Sequence, residues 1–64
     1  MGKIRRDGYV FITWKGDHPP LHVHVFRDGV LVLKWNLDQG VAMIGHAPRR
    51  LRKAIAELQK EGRL

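Results

Sequence analysis

Apolar and polar side chains alternate along the first two thirds of the chain. A run of β-branched and aromatic residues is followed by two prolines, and the next run alternates with a period of two. Such patterns are typical of β-strands. The tripeptides 27–29 and 38–40 each contain Asp and Gly and are predicted turns. The pattern predicts a small antiparallel β-meander of three to four strands, over about residues 8–15, 21–26, 30–37 and 41–44.

The C-terminal segment has a helical periodicity instead. Pro48 suits the first position of a helix, and Gly62 suits the residue that ends one. Between them lies one apolar stripe with i, i+3, i+4, i+7 spacing, formed by Leu51, Ala54, Ile55 and Leu58. The sequence therefore predicts a helix over about 48–61. It also predicts a single α+β domain over residues 1–64, with this helix packed on one face of the sheet.

The register between residues 21–26 and 30–37 decides which face of the sheet carries the histidines. A two-residue turn at Asp28-Gly29 would place His24 opposite Leu33, among the largest apolar side chains. A three-residue loop at 27–29 separates apolar from polar residues, and we favour it because a one-residue slip would undo that separation. The apolar face then holds Leu21, Val23, Val25, Leu31, Leu33, Trp35, Leu37, Val41 and Met43, with Val25 opposite Leu31 and Val23 opposite Leu33.

The opposite face is predicted to stay open, because one helix covers only one face of a sheet. It is either a working surface or a dimer interface. Among the aromatic residues only Phe26 is expected there, since such side chains are mostly core in a chain this small. The open face is predicted to hold His22, His24, Phe26, Val32, Lys34 and Asn36, and the core to take Tyr9, Phe11, Trp14 and Trp35.

Length and composition narrow the function classes. With 64 residues the chain is too short for a two-domain enzyme or a paired nucleotide-binding fold. It has no cysteine, which excludes a disulfide framework, a thiolate zinc site and a cysteine nucleophile. Serine is also absent, which argues against a hydroxyl nucleophile. No apolar run approaches the roughly 18 residues of a membrane helix, so we expect no membrane partner and a cytoplasmic location.

The chain is strongly basic, with a net charge of +6. Residues 1–16 carry four basic residues and one acidic residue, and residues 46–64 carry six basic and two acidic residues. This excess favours an anionic partner, either nucleic acid or an acidic protein. If the two ends meet in the fold, one basic patch is expected from Lys3, Arg5, Arg6, Arg49, Arg50, Arg52 and Lys53.

The entrance of the predicted helix is a candidate phosphate site. Its unpaired N–H groups and the positive end of the helix dipole attract anions, and Arg49 and Arg50 add two guanidiniums. The alternative is that both arginines are simply solvated. The residues predicted to bind phosphate or nucleic acid are Arg49, Arg50, Lys53, Lys34, Arg5, Arg6 and His46.

His22 and His24 are separated by one residue on a predicted strand, so their imidazoles point to the same face. Such a pair can bind phosphate or act as a general acid and base. A metal would need further ligands, and His18, His46 or Asp17 would have to converge on the pair. We expect no metal and no other cofactor. The alternative is a purely structural role, in which both histidines are half-exposed and hydrogen-bonded to the backbone.

The stretch Asp17-His18-Pro19-Pro20-Leu21-His22-Val23-His24-Val25 resembles a known signature, Asp-His-Asn-Pro-Pro-His-x-His-Val. That signature marks a family of small bacterial and phage-associated domains of unknown function. The acidic-x-Gly turn at 38–40 and the Pro-x-x-Leu entrance at 48–51 look like further elements of it, so the resemblance covers almost the whole chain. It implies a partner but no reaction, because such domains are often encoded beside a second small protein in operons that resemble toxin–antitoxin modules.

These observations lead to one functional hypothesis and two alternatives. We expect a small basic bacterial protein that binds nucleic acid, RNA rather than DNA, within a toxin–antitoxin-like pair. One alternative is a metal-independent ribonuclease with His22 and His24 as the acid–base pair. The other is a non-catalytic interaction or dimerisation module. The apolar centre of its open face would be Val30, Val32, Phe26 and Ile44.

Overall fold

The computed structural model describes residues 2–14 and 21–64. They form one five-stranded antiparallel sheet, with the strands in chain order, and a single C-terminal helix. The predicted α+β class is therefore confirmed, with five strands rather than three or four. The elements are β1 (Gly2–Arg6), β2 (Tyr9–Thr13), β3 (His22–Arg27), β4 (Val30–Asn36), β5 (Val41–Gly45) and α1 (Arg49–Lys60).

The additional strand is β1, which pairs with β2 along its whole length. The connection is a two-residue turn, in which Asp7 and Gly8 have φ angles of 53° and 80°. Two positive φ angles give the turn that matches the twist of a hairpin. The pattern of side chains hides β1, because three of its five residues are Lys or Arg. The Asp-Gly dipeptide beside an apolar strand was the available signal.

The turn between β3 and β4 also has two residues, Asp28 and Gly29, with φ angles of 52° and 76°. The predicted three-residue loop is therefore wrong, and so are the pairs Val25–Leu31 and Val23–Leu33. A bulge follows the turn, since Phe26 pairs with Leu31 and the next pair is Val25 with Leu33. Val32 is the extra residue of this bulge. Without it, the two-residue turn would place Leu33 opposite His24. With it, Leu33 pairs with Val25 on the apolar face.

The core lies between α1 and one face of the sheet. The predicted stripe of α1 is its buried face, and the apolar residues of the central strands pack against it. Burial of this apolar surface is the main stabilising contribution. The buried apolar residues are Tyr9, Phe11, Val23, Val25, Leu33, Trp35, Leu37, Ala47, Leu51, Ala54, Ile55 and Leu58.

Four residues predicted on the apolar face are exposed by 40–59%, namely Leu21, Leu31, Val41 and Met43. Leu31 pairs with Phe26 before the bulge and so lies on the opposite face, while Val32 packs against the core. In β5 a second bulge leaves Met43 without a register partner. All five residues of this edge strand are exposed. The two bulges explain Leu31 and Met43. Val41 leaves the apolar face because it pairs with Asn36, which in turn pairs with His22.

Asn36 is the buried polar residue at the end of β4. Its side-chain Oδ1 accepts hydrogen bonds from the backbone N–H groups of Asp38 (2.9 Å) and Gln39 (2.8 Å). Its carbonyl oxygen accepts a third from Gly40 N–H. The loop before β5 is therefore held by three hydrogen bonds to this one residue, two to its side chain and one to its backbone. No helix among residues 2–14 and 21–64 is long and apolar enough to span a membrane.

Candidate functional site

The face of the sheet opposite α1 carries a continuous row of paired residues. Lys3 pairs with Ile12, Ile12 with His24, His24 with Lys34, and Lys34 with Ile44. Residues that face each other across antiparallel strands lie on the same side of the sheet. The row therefore runs from β1 to β5 and places a lysine on each side of the Ile12–His24 pair. We call this side the open face.

Three rings lie next to one another on the open face. The ring centroids of Trp14 and His24 are 4.8 Å apart with planes at 87°, and those of His22 and His24 are 5.2 Å apart with planes at 67°. Both histidines are half-buried, whereas Trp14 is 42% exposed. An exposed indole beside imidazoles and a lysine can stack on a planar base while the lysine meets its phosphate. We call Trp14, His22, His24 and Lys34 the ring cluster.

Trp14 lies on the open face, so its predicted place in the core is wrong. The signal that could have found it is the alternation in β2, because Trp14 follows Ile12 by two positions and Ile12 pairs with His24. Phe26 does lie on the open face, in the next row, where Arg5 pairs with Val10 and Val10 with Phe26.

The candidate metal ligands are not brought together in the part of the chain that the structure describes. No group of three or more metal-ligating side chains occurs within it. His22 and His24 are adjacent, but His18 lies outside the described residues. Within residues 2–14 and 21–64 this pair offers two imidazoles, which is fewer than the three protein ligands of a usual catalytic zinc site.

Arg6 lies on the same side of the sheet as the helix and is already paired. Its Nη1 and Nη2 donate hydrogen bonds to Oε2 (2.7 Å) and Oε1 (2.9 Å) of Glu61. This contact raises the pKa of Arg6 and lowers the pKa of Glu61, in each case mainly through the hydrogen bonds. A phosphate would have to compete with a two-point carboxylate for this guanidinium.

The helix entrance is built as a cationic surface. Arg49, Arg50 and Lys53 are exposed, the first turn contains no acidic residue, and Pro48 provides no side-chain cap. However, α1 packs on the face opposite the ring cluster. A helix of 12 residues is also about 18 Å long, which separates Arg49 from the Arg6–Glu61 pair at the other end. The seven predicted basic residues thus do not form one patch.

His46 and Arg52 lie beside a shallow cavity of about 330 Å³ next to β5. Trp35, Ala42 and Ala47 also line this cavity. It lies on the helix side of the sheet, because Ala42 pairs with the buried Trp35. The cavity is therefore separate from the ring cluster.

Comparison with known proteins assigns the family. A family model described as "Domain of unknown function (DUF4160)" matches residues 8–63. The chain belongs to the DUF4160 family. The DUF4160 match runs from the start of β2 to beyond the end of α1, so it includes the ring cluster and the helix entrance. It confirms the expected kind of family, small domains of unknown function, while the signature and the operon context stay predictions. No curated protein and no solved structure matches the chain.

Proposed function

We propose that this domain binds single-stranded nucleic acid, RNA in preference to DNA, on its open face. The observation that carries the proposal is the ring cluster. It combines an exposed indole, two imidazoles and Lys34 on the face that α1 leaves uncovered, in a chain with a net charge of +6.

The chemistry of the ring cluster suits an unpaired base and its phosphates. Stacking of a base on an aromatic side chain is worth about 1–3 kcal/mol per base. Lys3 and Lys34 lie in the same row of the sheet, three strands or about 14 Å apart, and Arg5 lies in the next row. These cations can meet phosphates on either side of a bound base. A flat antiparallel face with aromatic and basic side chains is a common platform for single strands. The 2′-hydroxyl of RNA can hydrogen-bond to imidazole, which favours RNA over DNA.

Fluorescence anisotropy of labelled single-stranded RNA and DNA, titrated at several salt concentrations, tests the proposal. Lys34→Gln should weaken RNA binding and reduce the salt slope by about 0.7. Lys60→Gln removes the same charge from the last turn of α1 and should have the smaller effect. Equal losses from the two variants would show that net charge, rather than the open face, governs binding. Absence of binding at low salt would overturn the proposal.

The cellular setting is part of the same proposal. The resemblance of residues 17–25 to the family signature supports a cytoplasmic bacterial protein that works with a second small protein in a toxin–antitoxin-like pair. Co-expression with the product of the adjacent gene, followed by size-exclusion chromatography of the mixture, tests this setting. Separate elution of the two products would count against it.

A second candidate function is RNA cleavage, favoured by the distance of 5.2 Å between the His22 and His24 rings. Two imidazoles this close can share a phosphodiester as general base and general acid, with Lys34 stabilising the phosphorane charge. Cleavage should then persist in EDTA and show a bell-shaped pH profile. It should be lost in both His22→Ala and His24→Ala. Activity that disappears with EDTA, or that survives both substitutions, would exclude this mechanism.

A further inference from the structure

The two edges of the sheet are protected to different degrees. The outer strand β1 carries Lys3, Arg5 and Arg6, and charged side chains of this kind discourage pairing with another chain. The other outer strand, β5, has the sequence Val-Ala-Met-Ile-Gly and no charged residue. In the described part of the chain nothing pairs with its outer side. Its apolar residues are exposed, with Val41 at 48% and Ile44 at 54%.

A cavity adjoins this unprotected edge on the helix side. Its volume is about 330 Å³, which is enough for one large side chain, and Trp35 lies against it. Four of the eight residues that line it are small, which leaves space between them, namely Gly40, Ala42, Gly45 and Ala47. A strand that pairs with β5 points alternate side chains to the helix side. The cavity is therefore placed to receive a side chain from an added strand.

The charge around β5 selects the partner. Residues 39–56 contain no Asp or Glu, and they include His46 and four basic residues, Arg49, Arg50, Arg52 and Lys53. Arg52 and His46 themselves line the cavity. A second copy of this chain would bring the same cations and another +6 of charge. A segment rich in carboxylates has the complementary charge.

We propose that β5 is a docking edge for an extended segment of an acidic protein, which adds to the sheet as a sixth strand. Main-chain hydrogen bonds to β5 supply the pairing, as in other cases of strand addition. One apolar side chain of the segment fills the cavity against Trp35, and its carboxylates face Arg52 and His46. This docking edge is distinct from the ring cluster, so the proposal does not depend on nucleic-acid binding.

A labelled peptide of about eight residues with Glu-Thr-Val-Thr-Glu at its centre provides the probe. Residues two apart on a strand point to the same side, so its Val and both Glu side chains can face the cavity together. We expect this peptide to bind the intact protein. A peptide with Lys in place of Glu should not bind, and N-methylation of alternate backbone nitrogens should abolish binding. Failure of the Glu peptide to bind at millimolar concentration, or equal binding of the Lys peptide, would overturn the proposal.

Variants locate the binding edge. Ala42→Leu fills the cavity from within β5 and should weaken peptide binding roughly tenfold. Arg52→Gln should weaken binding more than the charge-matched Lys60→Gln. Met43 has no register partner in β4, and proline is tolerated at bulges and on edge strands. Met43→Pro should therefore leave the fold intact and weaken peptide binding at this edge. Circular dichroism checks the fold of each variant. A dimer in sedimentation that Met43→Pro dissociates would assign the edge to a second copy and overturn the acidic partner.

Discussion

The guanidinium of Arg6 and the carboxylate of Glu61 form a two-point ion pair between the end of β1 and the end of α1, at 2.7 and 2.9 Å. The pair joins residues 55 positions apart in the sequence. It connects the outer strand β1 to the helix α1, which covers the core. Arg6 is thereby held on the helix side of the sheet, while its neighbour Arg5 is exposed.

The Arg6–Glu61 pair should make stability depend on pH in the acidic range. The hydrogen bonds from Arg6 lower the pKa of Glu61 below its usual value of 4.5. A lowered folded-state pKa contributes stability above the unfolded value, and that stability is lost as the pH falls through the folded value. Both side chains are partly exposed, so the contribution is modest.

Thermal unfolding of the wild type and Glu61→Gln checks this prediction. The wild type should have the higher Tm at pH 7, and the difference should vanish well below pH 4.5. Arg6→Gln should behave in the same way, whereas Arg5→Gln removes the same charge from β1 and should leave the Tm nearly unchanged. A difference between wild type and Glu61→Gln that persists at low pH would contradict the assignment.

Asn36→Ala should destabilise the loop before β5. The substitution removes the Oδ1 acceptor for the N–H groups of Asp38 and Gln39. These hydrogen bonds are part-buried, so the loss of each should cost about 0.5–1.5 kcal/mol. Asn36→Asp keeps an acceptor oxygen in the place of Oδ1 and should lower the free energy of unfolding by less. The free energy of unfolding in urea is the measurement, and equal losses in both variants would show that the acceptor is not what matters.

Gly45→Ala should be more damaging than Gly29→Ala. Gly45 has a φ angle of 84°, and a Cβ there would overlap the carbonyl oxygen of Val32 in β4. Gly29, with a φ angle of 76°, has open space where its Cβ would lie. Gly29→Ala should therefore lower the free energy of unfolding by about 1–2 kcal/mol, the cost of placing alanine in the left-handed conformation. The steric overlap adds about 1–3 kcal/mol at Gly45. Similar unfolding free energies for the two variants would contradict this reading.

Much of the fold could be predicted from the sequence, because side-chain periodicity reports burial directly. The stripe of Leu51, Ala54, Ile55 and Leu58 is the buried face of α1. Val23 and Val25 face the core, as expected. These positions follow from repeats of 3.6 and 2 residues, which depend only on local geometry.

The rest depends on features that interrupt periodicity. A bulge at Val32 allowed a two-residue turn and the correct facing of Val25 at the same time. Unbroken alternation would make these two features exclusive. The candidate site was predicted in part: His22, His24 and Lys34 share the open face, but Trp14 was missed. The position of Arg49 and Arg50 relative to the histidines depends on which face of the sheet α1 covers, and this depends on the register of the strands.

Trp14→Ala should reduce the affinity for single-stranded RNA while Trp14→Phe retains most of it. The exposed indole contacts His24 and offers a flat surface for one base. Loss of one stacked base corresponds to about 1–3 kcal/mol, or roughly 5- to 150-fold in Kd. Anisotropy at one salt concentration measures the change. An unchanged Kd in Trp14→Ala would remove the ring cluster from the binding surface.

Substitutions at the helix entrance show which of two cationic surfaces, the helix entrance or the open face, contacts the phosphates. Arg49 and Arg50 begin α1, on the layer opposite His24 and Lys34. If the open face binds RNA, the double variant Arg49→Gln, Arg50→Gln should lower affinity only through the general loss of two charges. Its salt slope should stay close to that of the wild type, because these side chains do not touch the bound phosphates. Lys34→Gln removes one charge yet should reduce the slope by about 0.7. The reverse order, with a larger slope change in the double variant, would move the phosphate contacts to the helix entrance, where the free N–H groups of the first turn would then share in binding.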